Sequence, residues 1–347
     1  MIITPSPKER GFYMPAEWER HEATWLSYPH NEDSWPGKIE TIFPSYNLFI
    51  KTLTEVETVH INVEDEAMEL HVSNALKELG AFMVNVEFHR FPTNDAWCRD
   101  HGPAFLLNHK NPGMRALVNW NHNAWGGKYP YELDTQIPAH IANHFGMTMF
   151  EPHIVMEGGS IDVNGKGDLL TTTSCLLNPN RNPRLNKEQI EEHLRAYYGV
   201  DNIIWLGDGI VGDDTDGHVD DICRFADEEV IITAVEENRN DENYEPLQQN
   251  LKTLKKCRLA NGKQPTIIEL PMPSPVIWEE QRLPASYANF YICNGLVIFP
   301  TYKCDNDTRA AYILEETFPT REIVGIDSTD IIWGLGSFHC LSQQMPV

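Results

Sequence analysis

Residues 157–177 read EGGSIDVNGKGDLLTTTSCLL: a carboxylate and two glycines run into a β-branched, leucine-rich stretch that suits a buried strand. The same order recurs on both sides. Toward the N-terminus, Glu22-Ala23-Thr24 leads into WLSYP, and Asp100-His101-Gly102-Pro103 leads into AFLLN. Toward the C-terminus, Asp216-Gly217-His218 precedes DICRF and EVIITAV, SYAN precedes FYICN and GLVIFPTY, and GLGSFHC precedes LSQQ. Asp100, Glu157 and His218 follow one another at about 60 residues, and Cys340 lies about twice that further on. Helical patterns separate the strands. In NKEQIEEHLRAYYG (186–199), Ile190, Leu194 and Tyr197 share one face and Gly199 marks the stop. Strand-rich modules of one length, joined by helices, describe an α/β chain whose polar ends converge radially on one centre. No Gly/Ser-rich linker divides the sequence, so residues 1–347 are expected to form one domain.

Composition narrows the function. A net charge of −24 repels phosphate backbones and anionic lipid, and without a Lys/Arg run the chain is expected to bind neither nucleic acid nor membrane. The same field favours small cations. No apolar run approaches a membrane span, and the N-terminus MIITPSPKERGFYMP lacks a secretory signal, so a cytoplasmic location is expected. Seven scattered cysteines without a CxxC pair argue against a disulfide framework and against structural zinc. Most should be inert core thiols. A homo-oligomer is compatible with all of this.

Cys340 stands out from the other cysteines. It follows His339 in a Gly-rich polar setting, with Gly334 and Gly336 able to admit a ligand close to the backbone. On a strand, His339 would face away from Cys340 and serve poorly as its base. His218 is the better base. In an extended segment Asp216 and Asp220 would share its face, raise its pKa and so favour a thiolate nearby. Asp216-Gly217-His218-Val219-Asp220 also fits a D-x-H-x-D metal pattern of the kind found in manganese ureohydrolases such as agmatinase, although no second such cluster is present. An EF-hand reading fails at Cys223, and HEATW lacks the second histidine of a zinc HExxH motif. Glu157 opens EGGS and Asp100 closes NDAWCRD. Asp95, Asp100 and Trp97 also read as a turn with a packed indole, and Asp162 and Asp168 as ordinary loop carboxylates.

Taken together, PAEWERHEATWLSYP, NDAWCRDHGP, NWNHNAWGGKYPY, EGGSIDV, LLTTTSCLLNPNRNP, DGHVDD, SYANFYICNG, FPTREIVGID and FHCLSQQ run nearly end to end. In that order they resemble the agmatine deiminase and bacterial-type peptidylarginine deiminase family of the guanidino-group-modifying superfamily. The resemblance implies a five-bladed, pseudo-symmetric α/β propeller with a central active site. It implies Cys340 as nucleophile, His218 as acid/base, Glu157 orienting His218, Asp100 and Asp220 gripping a guanidinium, and Trp97 lining the channel. Neither metal nor organic cofactor is implied. The expected partner is a small cationic guanidino substrate, and the expected reaction is agmatine to N-carbamoylputrescine plus ammonia, a step toward putrescine and polyamines. Where such deiminases commonly read GGGNIHC, this chain has GLGSFHC, with Leu335 and Ser337 replacing a Gly and an Asn.

For the far end of the substrate, Asp214 and Asp216 beside Asp213 offer partners for a distal ammonium. Trp120, Trp125 and Gly126-Gly127 could cover the site. Arg99, Lys128 and Arg224 are the cations within the clusters, too few to favour the α-carboxylate of free arginine. The alternatives are a peptidyl-arginine deiminase, an amidinotransferase passing the same intermediate to an amine, the manganese ureohydrolase, and a non-catalytic guanidinium binder.

Overall fold

A computed structural model describes residues 2–347. One unit, strand–strand–helix–strand, is built five times. The first two strands pair antiparallel, and a helical crossover then returns the chain parallel to the second, as parallel pairing requires. Ile161–Val163, Asp168–Thr172 and Asn202–Leu206 form one such sheet around helix Lys187–Tyr198. Cys223–Asp227, Val230–Val235 and Thr266–Pro271 form the next, with helix Tyr244–Leu254. Tyr291–Cys293, Leu296–Thr301 and Glu322–Asp327 follow, with Asn306–Thr317. Ala104–Asn108, Arg115–Val118 and Thr148–Phe150 use helix Ile137–Phe145 and gain Phe12–Tyr13 at the edge. The fifth sheet joins the chain's two ends: Ser342–Pro346 pairs antiparallel with His21–Ser27, which continues through Ile39–Thr54 to Thr58–Asn62 and then Val86–His89.

Local chemistry explains these elements. Strand residues such as VIITAV (230–235) are buried almost throughout, as expected where helices cover a sheet. The helix expected at 186–199 spans Lys187–Tyr198. Asn186 and Gln189 close a reciprocal capping box, and Gly199 takes the left-handed conformation at φ 74°. Its Ile190, Leu194 and Tyr197 are buried as the periodicity requires.

Just before the first strand of each unit sits a buried polar residue: Asp100, Glu157, His218 with Asp220, Asn289, and Cys340. The recurrence in the sequence is therefore a recurrence of strand entrances. No helix among the described residues is long and apolar enough to cross a membrane.

Candidate active site

These strand entrances bring residues far apart in sequence into one cluster. Cys340 is 5% exposed, and its Sγ accepts from Asn289 Nδ2 at 3.0 Å and lies 3.5 Å from Asp220 Oδ2. Asn289 also orients the loop, because its Oδ1 accepts from the His339 and Cys340 amides at 3.1 and 3.3 Å. His218 is fully buried. Its Nδ1 lies 3.8 Å from Asp100 Oδ2 and 4.0 Å from Asp220 Oδ1, and its Nε2 lies 4.0 Å from Glu157 Oε2. Gly159 makes this packing feasible: a Cβ there would stand 2.6 Å from His218 Nδ1 and 3.0 Å from carboxylate oxygens of Asp100 and Asp220.

Each carboxylate is held from behind. Asp100 accepts from the Gly159 amide at 2.9 Å and from Trp125 Nε1 at 2.8 Å. Trp125 reaches it from a left-handed run that continues through Ala124, Gly126 and Gly127, a conformation costing a non-glycine residue about 1–2 kcal/mol. Arg181 Nε donates to Glu157 Oε1 at 2.5 Å. His339 bridges Asp220 Oδ2 at 2.6 Å and Glu17 Oε2 at 2.8 Å. Glu17 in turn meets Arg99 Nη2 at 3.3 Å and Arg224 Nη2 at 2.9 Å.

Four buried acceptor or donor atoms remain without a protein partner in this cluster: Glu157 Oε2, Asp220 Oδ1 and both His218 nitrogens. Buried polar groups are normally paired, so this convergence marks a place for polar ligand atoms.

Burial sets the resting protonation. It pushes the Cys340 thiol well above its ordinary value of 9.0, aided by the charges of Asp220, Asp221 and Asp100. It lowers His218 to about 3 although Asp220 and Asp216 pull upward. The sequence led us to expect the reverse, a histidine raised by its carboxylates, and desolvation of a fully buried imidazole outweighs them. Burial, then Asp220 and Glu157, raise Asp100 well above the carboxylate range, and burial likewise raises Glu157. Asp220 is held low by His339 against the upward push of burial.

A cavity of about 360 Å³ reaches Asp100 and Cys340, walled by Trp97, Trp125, Tyr129, Trp278 and Trp333. Asp33, Asp95, Asp214 and Glu279 also line it, with no Lys, Arg or His among the described lining residues. Asp214 is there as expected, but Lys128 and Tyr129 hold it.

Several expectations are corrected. Asp216 does not share a face with His218 and does not line the cavity: Asp216 and Gly217 adopt φ 66° and 101°, and the Asp216 carboxylate turns to Arg181 at 2.7 Å and Asn180 at 2.9 Å. The D-x-H-x-D pattern is thereby broken in space. Trp120 packs on Tyr197 and Tyr198 instead of covering the site. Asp162 and Asp168 are buried, Asp162 at 3.3 Å from Arg224 and Asp168 tying Asn164, Asn202 and the Ala260 amide. Gly334 and Gly336 make room for the Trp35 and Trp97 indoles. Of the two departures in GLGSFHC, Leu335 lines the cavity at φ 72°, whereas Ser337 faces Ser328 at 2.7 Å inside the core. Glu17, Arg181 and Asn289 join the site without a sequence signal used above, and His339 joins it although strand alternation points its ring away. Asn289 was detectable in principle, as the polar residue before a first strand.

Asp100→Asn keeps the shape but cannot take up the negative charge that a bound guanidinium would draw from Asp100. It is expected to lower kcat/KM about 10- to 100-fold, the worth of one charge-assisted hydrogen bond, in a steady-state assay with the fold checked by circular dichroism. Near-normal kcat/KM would remove Asp100 from the binding set.

Comparison with known proteins places this geometry. Residues 13–346 match the model of the Porphyromonas-type peptidyl-arginine deiminases. A putative agmatine deiminase of Legionella pneumophila is 36% identical over 353 residues, covering 100% of this chain and 98% of the relative. The agmatine deiminase of Enterococcus faecalis superposes with a TM-score of 0.92 at 31% identity, over 99% of both chains. An agmatine deiminase of C. jejuni, solved as a Cys-to-Ser variant with substrate bound, superposes at 0.87 and 36% identity, over 96% of both.

Proposed function

The chain belongs to the Porphyromonas-type peptidyl-arginine deiminase family, and from that premise we propose that it is an agmatine deiminase, converting agmatine and water to N-carbamoylputrescine and ammonia. The observation that carries this reading is the convergence of unpartnered buried atoms of Glu157, Asp220 and His218 beside the Cys340 thiol. A guanidinium supplies what such a place lacks, namely planar N–H donors and a positive charge among crowded carboxylates.

The chemistry follows from the charges. In the free enzyme the thiol keeps its proton and His218 is neutral. A guanidinium held by Asp220 and Asp100 offsets the charge of Asp220, lets Asp100 release its proton to solvent, and with its own positive charge favours the thiolate. The thiol proton passes to His218 as Sγ bonds to the guanidinium carbon. The resulting tetrahedral adduct expels one nitrogen, which takes the proton from His218 and leaves as ammonia. A thiouronium remains on Cys340. His218, neutral again, accepts a proton from water as it attacks; collapse releases the ureido product as the sulfur regains a proton, and His218 gives up its own to solvent, where it converts the ammonia to ammonium. Glu157, fixed by Arg181, steadies the transient imidazolium. Arg99, Arg224, Glu17 and His339 form a chain behind Asp220 that keeps it ionised.

Substrate choice rests on the cavity. Its walls are indole and phenol rings suited to an alkyl chain, its charged lining residues are acidic, and no lining cation awaits an α-carboxylate. Agmatine carries a distal ammonium and no carboxylate. The Trp278–Trp333 pair, with ring centroids 3.7 Å apart, forms part of the wall, and a polypeptide arginine would need an opening wide enough for its flanking backbone. The test is kcat/KM for agmatine, arginine and a blocked arginine amide, with products identified. Agmatine is expected to lead, giving N-carbamoylputrescine and ammonia. Preference for the blocked amide would make the chain a peptidyl-arginine deiminase. Urea and putrescine as products would restore the ureohydrolase.

The five repeated units are best read as blades of one propeller spanning residues 1–347, because their five polar strand entrances meet at Cys340. A small metabolite as substrate fits a cytoplasmic enzyme.

A further inference from the structure

Outside the catalytic cluster, a second group of polar side chains converges on the sheet that joins the chain ends. Parallel pairing sets His60 opposite Glu87, and strand alternation puts His89, two residues on, on the same face. His60 Nδ1 lies 2.9 Å from His89 Nε2 and 3.5 Å from Glu87 Oε2. One donor atom from each residue lies within 4.8 Å of the others. Trp25, next in the row across the sheet, packs on both imidazoles at centroid distances of 4.6 and 4.7 Å and fixes their orientation. The two histidines are buried, but the Glu87 side chain is 57% exposed and connects the group to solvent. His144, on helix Ile137–Phe145, meets the His89 ring edge-on at 4.8 Å.

We propose that His60, Glu87 and His89 form a divalent-metal site, separate from the catalytic cluster, for which zinc is the best chemical match. Two imidazoles, which are borderline ligands, and one carboxylate oxygen, a hard one, make a set that zinc takes in three-ligand sites, and the fourth position falls to water or His144. On a tetrahedral zinc, two nitrogens at about 2.05 Å from the ion stand roughly 3.3 Å apart, close to the separation here. Burial favours neutral imidazoles, the form that ligates. A hydrogen-bonded histidine pair alone would not need the third arm. With the ion bound, strand Thr58–Asn62 is cross-linked to Val86–His89, the edge strand of its sheet.

Two other groups could hold zinc through sulfur, Glu157-Cys175-His218 and Asp220-Asp221-Cys340, so the test must separate them. Metal-stripped Cys340→Ser protein is titrated with ZnCl2 by calorimetry and with CoCl2 by absorption. The expected result is one equivalent of zinc bound, cobalt d–d bands without a sulfur-to-cobalt charge-transfer band, and a zinc-dependent rise in Tm. Glu87→Ala and His89→Gln in the same background should each weaken zinc about tenfold or more and abolish the rise. Because Glu87 is exposed, its variant should keep the metal-free Tm. Absence of saturable binding, an affinity in both variants equal to that of the Cys340→Ser background, or a sulfur-to-cobalt band overturns the proposal.

Discussion

Cys340→Ser is expected to lower kcat on agmatine by roughly 10⁴-fold or more, the scale seen when a covalent nucleophile is removed from a group that acts as a unit. A serine hydroxyl is far harder to ionise than a thiol, and three carboxylates nearby make an alkoxide still less favourable. The fold should persist, because the exchange is nearly isosteric and Asn289 can donate to Oγ as it does to Sγ. Agmatine binding should survive, since Asp100 and Asp220 remain. In the parent enzyme, inactivation by iodoacetamide should accelerate about tenfold per pH unit up to and beyond pH 9, because burial keeps the free thiol protonated. A rate that levels off below pH 8 would show a resting thiolate. Undiminished turnover in the serine variant would end the covalent mechanism.

The second large effect falls on His218. Replacement by Gln fills similar space and can hydrogen-bond, but cannot carry a proton between steps. We expect kcat to fall by about 10²–10⁴, without a rapid burst of ammonia, because the first departing nitrogen has lost its acid. A full burst followed by slow turnover would assign His218 to the hydrolytic half alone. Activity within a few-fold of the parent would mean that another group, such as Glu157 or Asp220, moves the proton.

How much could be read beforehand varied by residue. Cys340, His218, Glu157, Asp100 and Asp220 each stand in a polar cluster ahead of a hydrophobic strand, and the structure brings all five together. The same rule applied to SYAN would have singled out Asn289. It could not have found Glu17 or Arg181, which lie outside the strand entrances and enter the site only through partners elsewhere in the chain. Asp216 misled because its place beside His218 holds only for an extended backbone, and Gly217 permits the turn that sends it to Arg181. His339 was discounted on strand alternation, yet the strand begins only at Ser342, which frees its ring to bridge Asp220 and Glu17.

By itself, the sequence determined the alternation of strands and helices, the repeat of about 60 residues, and the ordered motifs that carry the family resemblance and single out candidate residues. These depend on residue type and spacing along the chain, which are local properties. Only the tertiary structure decided which carboxylates face His218, which are turned away, which arginines hold them, and whether the resting site contains a thiol or a thiolate. Those outcomes depend on burial and on charges a few ångströms apart, and both arise only when distant strand entrances are packed together in a water-poor interior, where desolvation outweighs the pull of neighbouring charges.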